Sequence, residues 1–167
     1  MLKVYQAETD EDRAYIRELF WEYLQWANTK VNEEFGVNFD IEQMLESDML
    51  DLEKFYSPYG RLLLAEVDGR VAGVACMRRI REDIGEIKRM YVRKEYRRLG
   101  IGRTLLERLI EEAKEMGYPK VRLDSARFME AAHSLYRSNG FYEIDPYPES
   151  EIPEEFQSHW IFMERKL

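Results

Sequence analysis

The stretch of the chain with the clearest chemical character is YRRLGIGRTLLERLI, residues 96–110. Gly100 and Gly102 lie one residue apart, with Arg97 and Arg98 before them and an amphipathic helical pattern after them. The first turn of a helix has unpaired backbone N–H groups and a partial positive charge, and glycines let an anion approach those groups closely. Arginines add charge and forked hydrogen-bond donors. The stretch, whose residues 97–103 are named the glycine turn below, therefore predicts a site for a phosphate or, better, a pyrophosphate.

Three phosphate-binding patterns can be compared with the glycine turn. A P-loop requires G-x-x-x-x-G-K-[ST], and the chain lacks the lysine of that pattern. A dinucleotide-binding fingerprint requires G-x-G-x-x-G, but Leu105 occupies the third glycine position, and the preceding strand belongs to a predicted antiparallel meander. The third pattern, R/Q-x-x-G-x-G/A, matches completely over residues 97–102. Both nucleotide-binding fingerprints therefore fail, and only the third pattern fits.

Charge is distributed unevenly along this acidic chain. The stretch from Lys88 to Arg103 has seven basic residues and one acid, a net +6, whereas the whole chain carries −8. Such a run is often a solvated charged face, and the alternative is a compact site for an anion. The acidic remainder of the chain argues against a broad nucleic-acid-binding surface.

The elements that must position the glycine turn follow an order that predicts a mixed α/β fold. Two helices follow the first strand, an antiparallel meander occupies the middle, and a β-α-β arrangement comes next. This order does not fit a doubly wound parallel sheet. Residues 31–39 and the acidic, proline-containing residues 145–156 are predicted to be loops. The predicted strands cover 2–7, the two arms of a hairpin around Asp68-Gly69, 84–92, 120–124, 141–144 and 160–167, and the predicted helices run from Thr9 to near Lys30, over 40–55, from near Gly100 to Gly117, and over 129–140.

Length and composition limit the class of protein. A chain of 167 residues is expected to form one domain, over 1–167, around a single core. No apolar run approaches the ~20 residues needed to cross a bilayer, and the N-terminal residues lack the features of a signal peptide. A single cysteine, Cys76, excludes an internal disulfide, so we expect a cytoplasmic location. Cys76, His133 and His159 do not have the spacing of zinc ligands, and we expect no metal.

The middle of the chain resembles the GNAT superfamily of N-acetyltransferases. The third pattern is that of the family's acetyl-CoA pyrophosphate loop, and GEIKRMYVRKEYRRLGIGRTLLERLIEEAKEMGY resembles its central strand, loop and helix. AAHSLYRSNGFYEI resembles a later helix and strand, with the LY…GF signature at Leu135-Tyr136 and Gly140-Phe141. The resemblance is dense over 61–144 and only topological over 1–60. It implies a central, mostly antiparallel sheet of six or seven strands, splayed at the acetyl-CoA cleft and flanked by about four helices.

The resemblance implies a location for acetyl-CoA, the acyl donor. The cofactor would lie where the strands 84–92 and 120–124 splay apart, and its pantetheine arm would pair with the first strand's backbone as peptides add to a sheet edge. Backbone N–H groups of the glycine turn would hold the pyrophosphate. The implied cofactor-binding residues are Met90, Tyr91, Val92, Arg97, Arg98, Leu99, Gly100, Ile101, Gly102, Arg103 and Thr104.

The implied reaction is direct attack of a primary amine on the thioester in a ternary complex. An alkyl amine has a pKa near ~10.4, so making it neutral at pH 7 costs about 4 to 5 kcal/mol. A base lowers that barrier. Glu86, which interrupts an apolar strand, is the predicted base, and Asp124 is the second candidate. The alternative for Glu86 is a strand-edge carboxylate paired with Lys88 or Arg89.

Tyr136 is the predicted general acid, because it occupies the LY position of the family's signature and a phenol donates readily to a sulfur anion. The alternative is a core tyrosine on an apolar helix face. A backbone N–H near Tyr91 or Val92 would bind the oxyanion.

The sequence departs from the family at Met129, where members often have an asparagine. Cys76 is expected in a buried strand and His133 in solvent.

The choice of acceptor amine depends on the walls of the cleft. By resemblance, residues 26–60 and 145–159 form the acceptor's side of the cleft, and their many acids would attract a cationic amine, although solubilising charge explains them equally well. A small-molecule amine is weakly preferred over a protein or peptide amine. Two further alternatives are an acyl-CoA sensor without turnover and a transferase of another acyl group, which the space near Met90 and Cys76 would decide. Many relatives are dimers, and a homodimer rests on that resemblance alone.

Overall fold

Seven strands and four α-helices make up the chain, which the computed structural model describes over residues 1–167. The strands are β1 (Leu2–Gln6), β2 (Arg61–Val67), β3 (Arg70–Arg81), β4 (Ile84–Val92), β5 (Lys120–Ala126), β6 (Tyr142–Ile144) and β7 (Trp160–Lys166). The helices are α1 (Asp10–Phe35), α2 (Ile41–Leu50), α3 (Ile101–Glu115) and α4 (Glu130–Ser138), and 3-10 turns cover Leu52–Phe55, Lys94–Tyr96 and Glu154–His159.

All the strands form one sheet, in the order β1-β2-β3-β4-β5-β7-β6. Every neighbouring pair is antiparallel except β4 and β5. The mixed, mostly antiparallel fold predicted from the sequence is therefore confirmed. The predicted hairpin at Asp68-Gly69 joins β2 to β3, and its two turn residues have φ values of 49° and 81°, as a tight two-residue turn requires.

The two parallel strands, β4 and β5, pair over only part of their length. Their pairing ends with Glu86 opposite Arg122. Beyond that point β4 continues to Val92 along β3, with an irregular register near Arg89, whose φ is 53°. β5 continues to Ala126 along β7. Because the two strands separate, their facing edges border a cleft and leave backbone groups without a strand partner.

Helix α1 is longer than the sequence predicts. Thr9, at which the predicted helix begins, caps the first turn of α1. The expected end near Lys30 is wrong, because the helix continues to Phe35 and ends at Gly36, which has a left-handed φ of 70°. Val31, the first residue of the predicted loop, is 2% exposed and packs in an apolar cluster. Burial of this side chain extends the helix past the polar residues that suggest an end.

The second predicted helix, 40–55, divides into α2 and a 3-10 turn. Asp51 lies between the two segments with a φ of −119°, outside the helical range. Leu52 and Phe55, in the turn, are buried. The apolar spacing that predicts one helix therefore persists through a break in the backbone. None of the chain's helices has both the length and the apolar composition that a membrane-spanning segment needs.

Helix α3 fixes the glycine turn at the edge of the cleft. Leu105, Leu109 and Ala113 of α3 are fully buried against the sheet. Burial of a leucine side chain contributes about 1.5–3 kcal/mol. The helix is followed, as predicted, by Gly117 with a φ of 86°. Since this apolar face is held on the sheet, the first turn of α3 lies beside the diverging end of β4.

The segment between β6 and β7, residues 145–159, lies against the sheet and is named the final loop. Tyr147 and Ile152 are buried with Trp160 and Phe162 in the apolar cluster that also contains Val31 of α1. The final loop therefore has core contacts of its own. It covers the side of the cleft that faces α1 and α2.

Candidate active site

A cavity of about 560 Å³ occupies the space between the diverging ends of β4 and β5. The glycine turn and the first turn of α3 border it on one side and α4 on the other. Two of the predicted cofactor-binding residues, Leu99 and Thr104, do not line the cavity, and neither does Glu86. The predicted residues that do line it are Met90, Tyr91, Val92, Arg97, Arg98, Gly100, Ile101, Gly102, Arg103 and Tyr136.

The glycine turn presents backbone N–H groups that have no acceptor in the protein. Arg98 and Gly100 have left-handed φ values of 67° and 80°. The amides of residues 98–103 donate no hydrogen bond within the protein, and no side chain caps α3. A Cβ at Gly102 would meet nothing closer than Leu135, at 3.7 Å, so protein packing does not require glycine there. A ligand that approaches this backbone closely would require it, which fits an anion at the helix N-terminus.

The basic residues of the stretch 88–103 include both paired and exposed cations. Neither a solvated charged face nor a compact anion site therefore describes all of them. Lys88 and Arg89 are buried and bind Glu151 at 2.9 and 2.6 Å. Arg93 binds Glu22 of α1 at 2.9 Å. These cations form internal ion pairs and hold neighbouring elements to β4. The exposed cations that remain at the cavity are Arg97, Arg98 and Arg103.

Tyr136 of α4 is buried, with 7% exposure, and lines the cavity. Its hydroxyl makes no hydrogen bond to the protein. Burial raises the pKa of Tyr136, and the neighbouring Tyr23 and Asp124 raise it further. The phenol therefore keeps its proton at neutral pH and is available as a donor to a group in the cavity.

Glu86 lies outside the cavity, on the last paired residue of β4. It is 0% exposed and accepts hydrogen bonds from Arg78 Nε at 2.8 Å and from the Tyr147 hydroxyl at 2.6 Å. Its ionic partner is therefore Arg78, not Lys88 or Arg89 as the sequence alternative proposed. The role of Glu86 as the base stays a prediction, and its position favours another carboxylate.

Asp124 lies on β5 just beyond the end of the parallel pairing, and its side chain faces the cavity. Its carboxylate accepts one hydrogen bond, from Ser150 Oγ at 2.8 Å. Burial raises the pKa of Asp124 to about 6, and Glu151 and Glu86 add to the rise while Lys88 opposes it. A carboxylate with this pKa can accept a proton near neutral pH.

A second cavity, of about 270 Å³, meets the first one beside Asp124. Its walls come from α1, α2, β7 and the final loop and are mostly apolar. Residues common to both cavities mark the junction. They are Tyr23, Arg89, Asp124, Met129 and Glu151.

Glu151, from the final loop, is the other carboxylate at the junction, and it differs from Asp124. Arg89 binds its two carboxylate oxygens at 2.6 and 3.0 Å, and Lys88 binds it at 2.9 Å. Burial acts to raise the pKa of Glu151, but the two cations outweigh it and hold that pKa well below its usual range. Glu151 is thus a fixed anion in an ion-pair cluster, unsuited to accept a proton.

The sequence pattern does not reveal that Tyr23 lines the junction or that His133 is buried. Tyr23 belongs to the apolar face of α1, where helical spacing predicts core packing, but it lines both cavities. Burial raises its pKa to about 12. His133, expected in solvent, is buried with Nε2 3.0 Å from Ser125 Oγ, and burial lowers its pKa. Cys76 is buried in β3, as predicted. The surroundings of Tyr23 and His133 depend on contacts between elements that are far apart in the sequence.

Comparison with known proteins gives a consistent assignment. The chain matches the model of the Acetyltransferase (GNAT) family over residues 4–141. It is 29% identical over 145 residues to an uncharacterized N-acetyltransferase of Schizosaccharomyces pombe, covering 86% of this chain and 84% of that protein. It is 34% identical over 107 residues to N-acetylaspartate synthetase of Xenopus tropicalis, covering 62% of this chain and 40% of the relative. The chain spans less than half the length of several curated relatives that it matches.

The fold also has close counterparts among solved structures. PaiA N-acetyltransferase from Thermoplasma acidophilum, solved in complex with coenzyme A, superposes with a TM-score of 0.75 at 21% identity, covering 100% of this chain and 99% of that one. At such identity the likeness establishes the fold alone. The sequence match to the family extends from β1 to the residue before β6. The chain belongs to the GNAT family of acetyltransferases.

Proposed function

We propose that the chain is an acetyl-CoA-dependent N-acetyltransferase that acetylates a primary amine at the junction of its two cavities. The observation that carries the proposal is the arrangement around this junction: unpaired amides at one end of the cleft, and Asp124 and Tyr136 facing its middle. The amides of the glycine turn suit the pyrophosphate of coenzyme A. The unpaired edge of β4 at Met90–Val92 suits its pantetheine arm.

In this proposal Asp124 is the base and takes a proton from the acceptor amine. With a pKa of about 6, Asp124 is mostly ionised at pH 7 and can accept that proton as the nitrogen bonds to the acetyl carbon. An alkylammonium group loses two protons on the way to an amide. The first passes to solvent before the attack, which frees the lone pair of the nitrogen, and Asp124 takes the second, which gives the nitrogen its positive charge once the C–N bond has formed. Glu86 has both of its carboxylate oxygens engaged away from the cavity, so Asp124 is the better positioned group.

Tyr136 is the acid in the same proposal. Acetyl-CoA supplies the acetyl group as a thioester, and the C–S bond breaks as the C–N bond forms. The Tyr136 hydroxyl, which has no partner in the protein, would donate its proton to the departing sulfur so that coenzyme A leaves as a thiol. A backbone N–H near Tyr91 or Val92 would stabilise negative charge on the carbonyl oxygen.

The proposal is tested by thiol release from acetyl-CoA across a panel of primary amines, with coenzyme A binding measured separately by calorimetry. We expect binding of coenzyme A and thiol release that requires an amine. Absence of coenzyme A binding would contradict the assigned cleft. Binding without amine-dependent release by any member of the panel would favour an acyl-CoA sensor over an enzyme.

A further inference from the structure

We propose that the second cavity binds the acceptor, and that the acceptor is a primary amine on a compact apolar body, alkyl or arylalkyl, without a carboxylate. This inference rests on the proposed function, because it assigns the amine to the same junction. It adds what that function leaves open, namely the chemical class of the acceptor.

The walls of the second cavity are the first argument. Leu24, Ala27 and Val31 of α1 face it from one side, and Phe39 and Trp160 close the other. The two rings pack edge to face, with centroids 5.9 Å apart. A volume of about 270 Å³ is at the small end for a ligand site, so the walls suit a short chain or a single ring.

The polar groups of the cavity are gathered at the junction, which is the second argument. Asp124 accepts one hydrogen bond from Ser150 and can accept more from an ammonium group. Tyr23 also lines this point, and its hydroxyl makes no hydrogen bond to the protein. An amine in the cavity would therefore place its nitrogen at Asp124, next to the acetyl group, and its carbon skeleton among the apolar walls.

The other charged groups around the cavity are already paired. Arg89 is bound to Asp48 at 2.8 Å and to Glu151, so it has no free charge for a substrate carboxylate. Glu151 is neutralised by Arg89 and Lys88, so it has no free charge for a second ammonium. An amino acid or a polyamine would bury a charge without a partner, which is strongly unfavourable.

Asn28, the remaining polar residue in the wall, is also committed. Its amide group donates to Asn38 at 3.0 Å and accepts from the Phe39 N–H at 2.9 Å. Among the acids of the final loop, which in the sequence could attract a cationic amine, Glu149 binds Arg81 at 2.7 Å and Glu151 binds Arg89 at 2.6 Å. The other acids of the loop do not line the cavity. The interior of the cavity therefore selects for apolar surface.

The test uses the full chain saturated with coenzyme A and measures amine binding by calorimetry at pH 7.5, where Asp124 is ionised. The probes are phenethylamine and n-hexylamine, compared with spermidine, aspartate and an alanine-initiated tripeptide. We expect the two apolar amines to bind at least ~10-fold more tightly than the other three. Equal or tighter binding of spermidine, aspartate or the peptide would overturn the inference, as would no binding of any probe.

A matched pair of variants locates the site. Ala27→Phe fills the cavity from α1, whereas Ala14→Phe makes the same change on an exposed face of the same helix. We expect Ala27→Phe to weaken phenethylamine binding at least ~10-fold, and Ala14→Phe to leave it unchanged. If Ala27→Phe does not fold, Ala27→Leu makes a smaller change with the same expected direction. Unchanged phenethylamine affinity in a folded Ala27 variant would overturn the assignment.

The outcomes separate this inference from the proposed function. Efficient acetylation of spermidine that Ala27→Phe does not affect would leave the N-acetyltransferase function standing and remove the apolar acceptor. Phenethylamine binding that Ala27→Phe abolishes, without thiol release from acetyl-CoA, would leave the acceptor site standing and remove the catalytic function.

Discussion

The glycine turn and the final loop border the same cleft, but the glycine turn presents backbone groups to it, whereas the final loop contributes side chains. The glycine turn uses main-chain amides that have no partner, and its arginines remain exposed. The final loop contributes four side chains that are paired with residues of other elements. Tyr147 binds Glu86, Glu149 binds Arg81, Ser150 binds Asp124, and Glu151 binds Arg89.

This difference indicates that the two regions have different roles in binding. Unpartnered amides are available to any ligand with a diphosphate, so the glycine turn is suited to a part of the substrate that does not vary. Paired side chains fix the shape and the charge of the cavity beside them. The final loop, with α1 and α2, is therefore the region that would select the acceptor. Its anchor on Asp124 through Ser150 also connects acceptor selection with the proposed base.

The largest effect is expected at the point where the two regions meet. Replacing Asp124 with Asn removes the proposed base while keeping its size, and we expect kcat to fall ~100-fold or more. Glu130→Gln is the matched control, because Glu130 is an exposed carboxylate that lines the same cavity. Steady-state kinetics with saturating acetyl-CoA measures both. A loss confined to the control, or shared equally by both variants, would remove Asp124 from the base role.

The pH profile gives the same prediction an independent readout. The base must be ionised, and burial raises the pKa of Asp124 to about 6, so kcat of the wild type should rise with pH through that value. The residual activity of Asp124→Asn should lack this rise. A rise near pH 6 that persists in Asp124→Asn would assign it to another group.

A smaller loss is expected on the cofactor side of the reacting centre. Tyr136→Phe removes only the hydroxyl, and we expect turnover to fall at least ~10-fold with little change in coenzyme A affinity. Tyr142→Phe on β6, whose hydroxyl binds Glu164 away from the cavity, is the control. Kinetics and calorimetric titration separate the two effects. Unchanged turnover would return Tyr136 to the role of a core tyrosine.

A substitution that strains the backbone of the glycine turn tests whether the turn binds coenzyme A. Gly100→Val places a side chain at a φ of 80° and disturbs the amides, so we expect coenzyme A to bind ~10-fold more weakly while the chain still folds. Gly36→Val is the control, because Gly36 has a similar φ of 70° and open space around it, but lies at the end of α1. Both variants should lose similar stability. Equal coenzyme A affinity of the two would show that the turn does not hold the cofactor.

The fold was accessible from sequence because its signals are local. The Asp68-Gly69 hairpin, the spacing of Leu105 and Leu109, and Gly117 after α3 each depend on neighbouring residues, and the structure has the corresponding elements. The predictions from sequence are wrong where a tertiary contact overrides a local signal. Burial of Val31 against the final loop extends α1 past Lys30, which no window of local sequence indicates.

The candidate site divides in the same way. The spaced glycines and arginines predict a site where backbone N–H groups bind an anion. The sequence shows this site because its backbone conformation depends on consecutive residues. The junction depends on partners far apart in sequence, such as Arg89 with Asp48 and Asp124 with Ser150. Sequence alone therefore ranks Glu86 above Asp124, since it contains no sign that Arg78 and Tyr147 occupy the Glu86 carboxylate.

Glu86→Gln should have the smallest effect on activity and decides between the two carboxylates. Gln keeps the size of the side chain and some hydrogen bonding to Arg78 and Tyr147, so we expect kcat to change less than ~3-fold. The loss of charge beside Arg78 should lower the free energy of unfolding by about 1–3 kcal/mol, measured by urea denaturation. A structural carboxylate thus shows a stability loss with activity retained, and Asp124→Asn should show the reverse. If Glu86→Gln instead loses ~100-fold in kcat at unchanged stability, Glu86 is the base and the final loop takes part in catalysis through Tyr147.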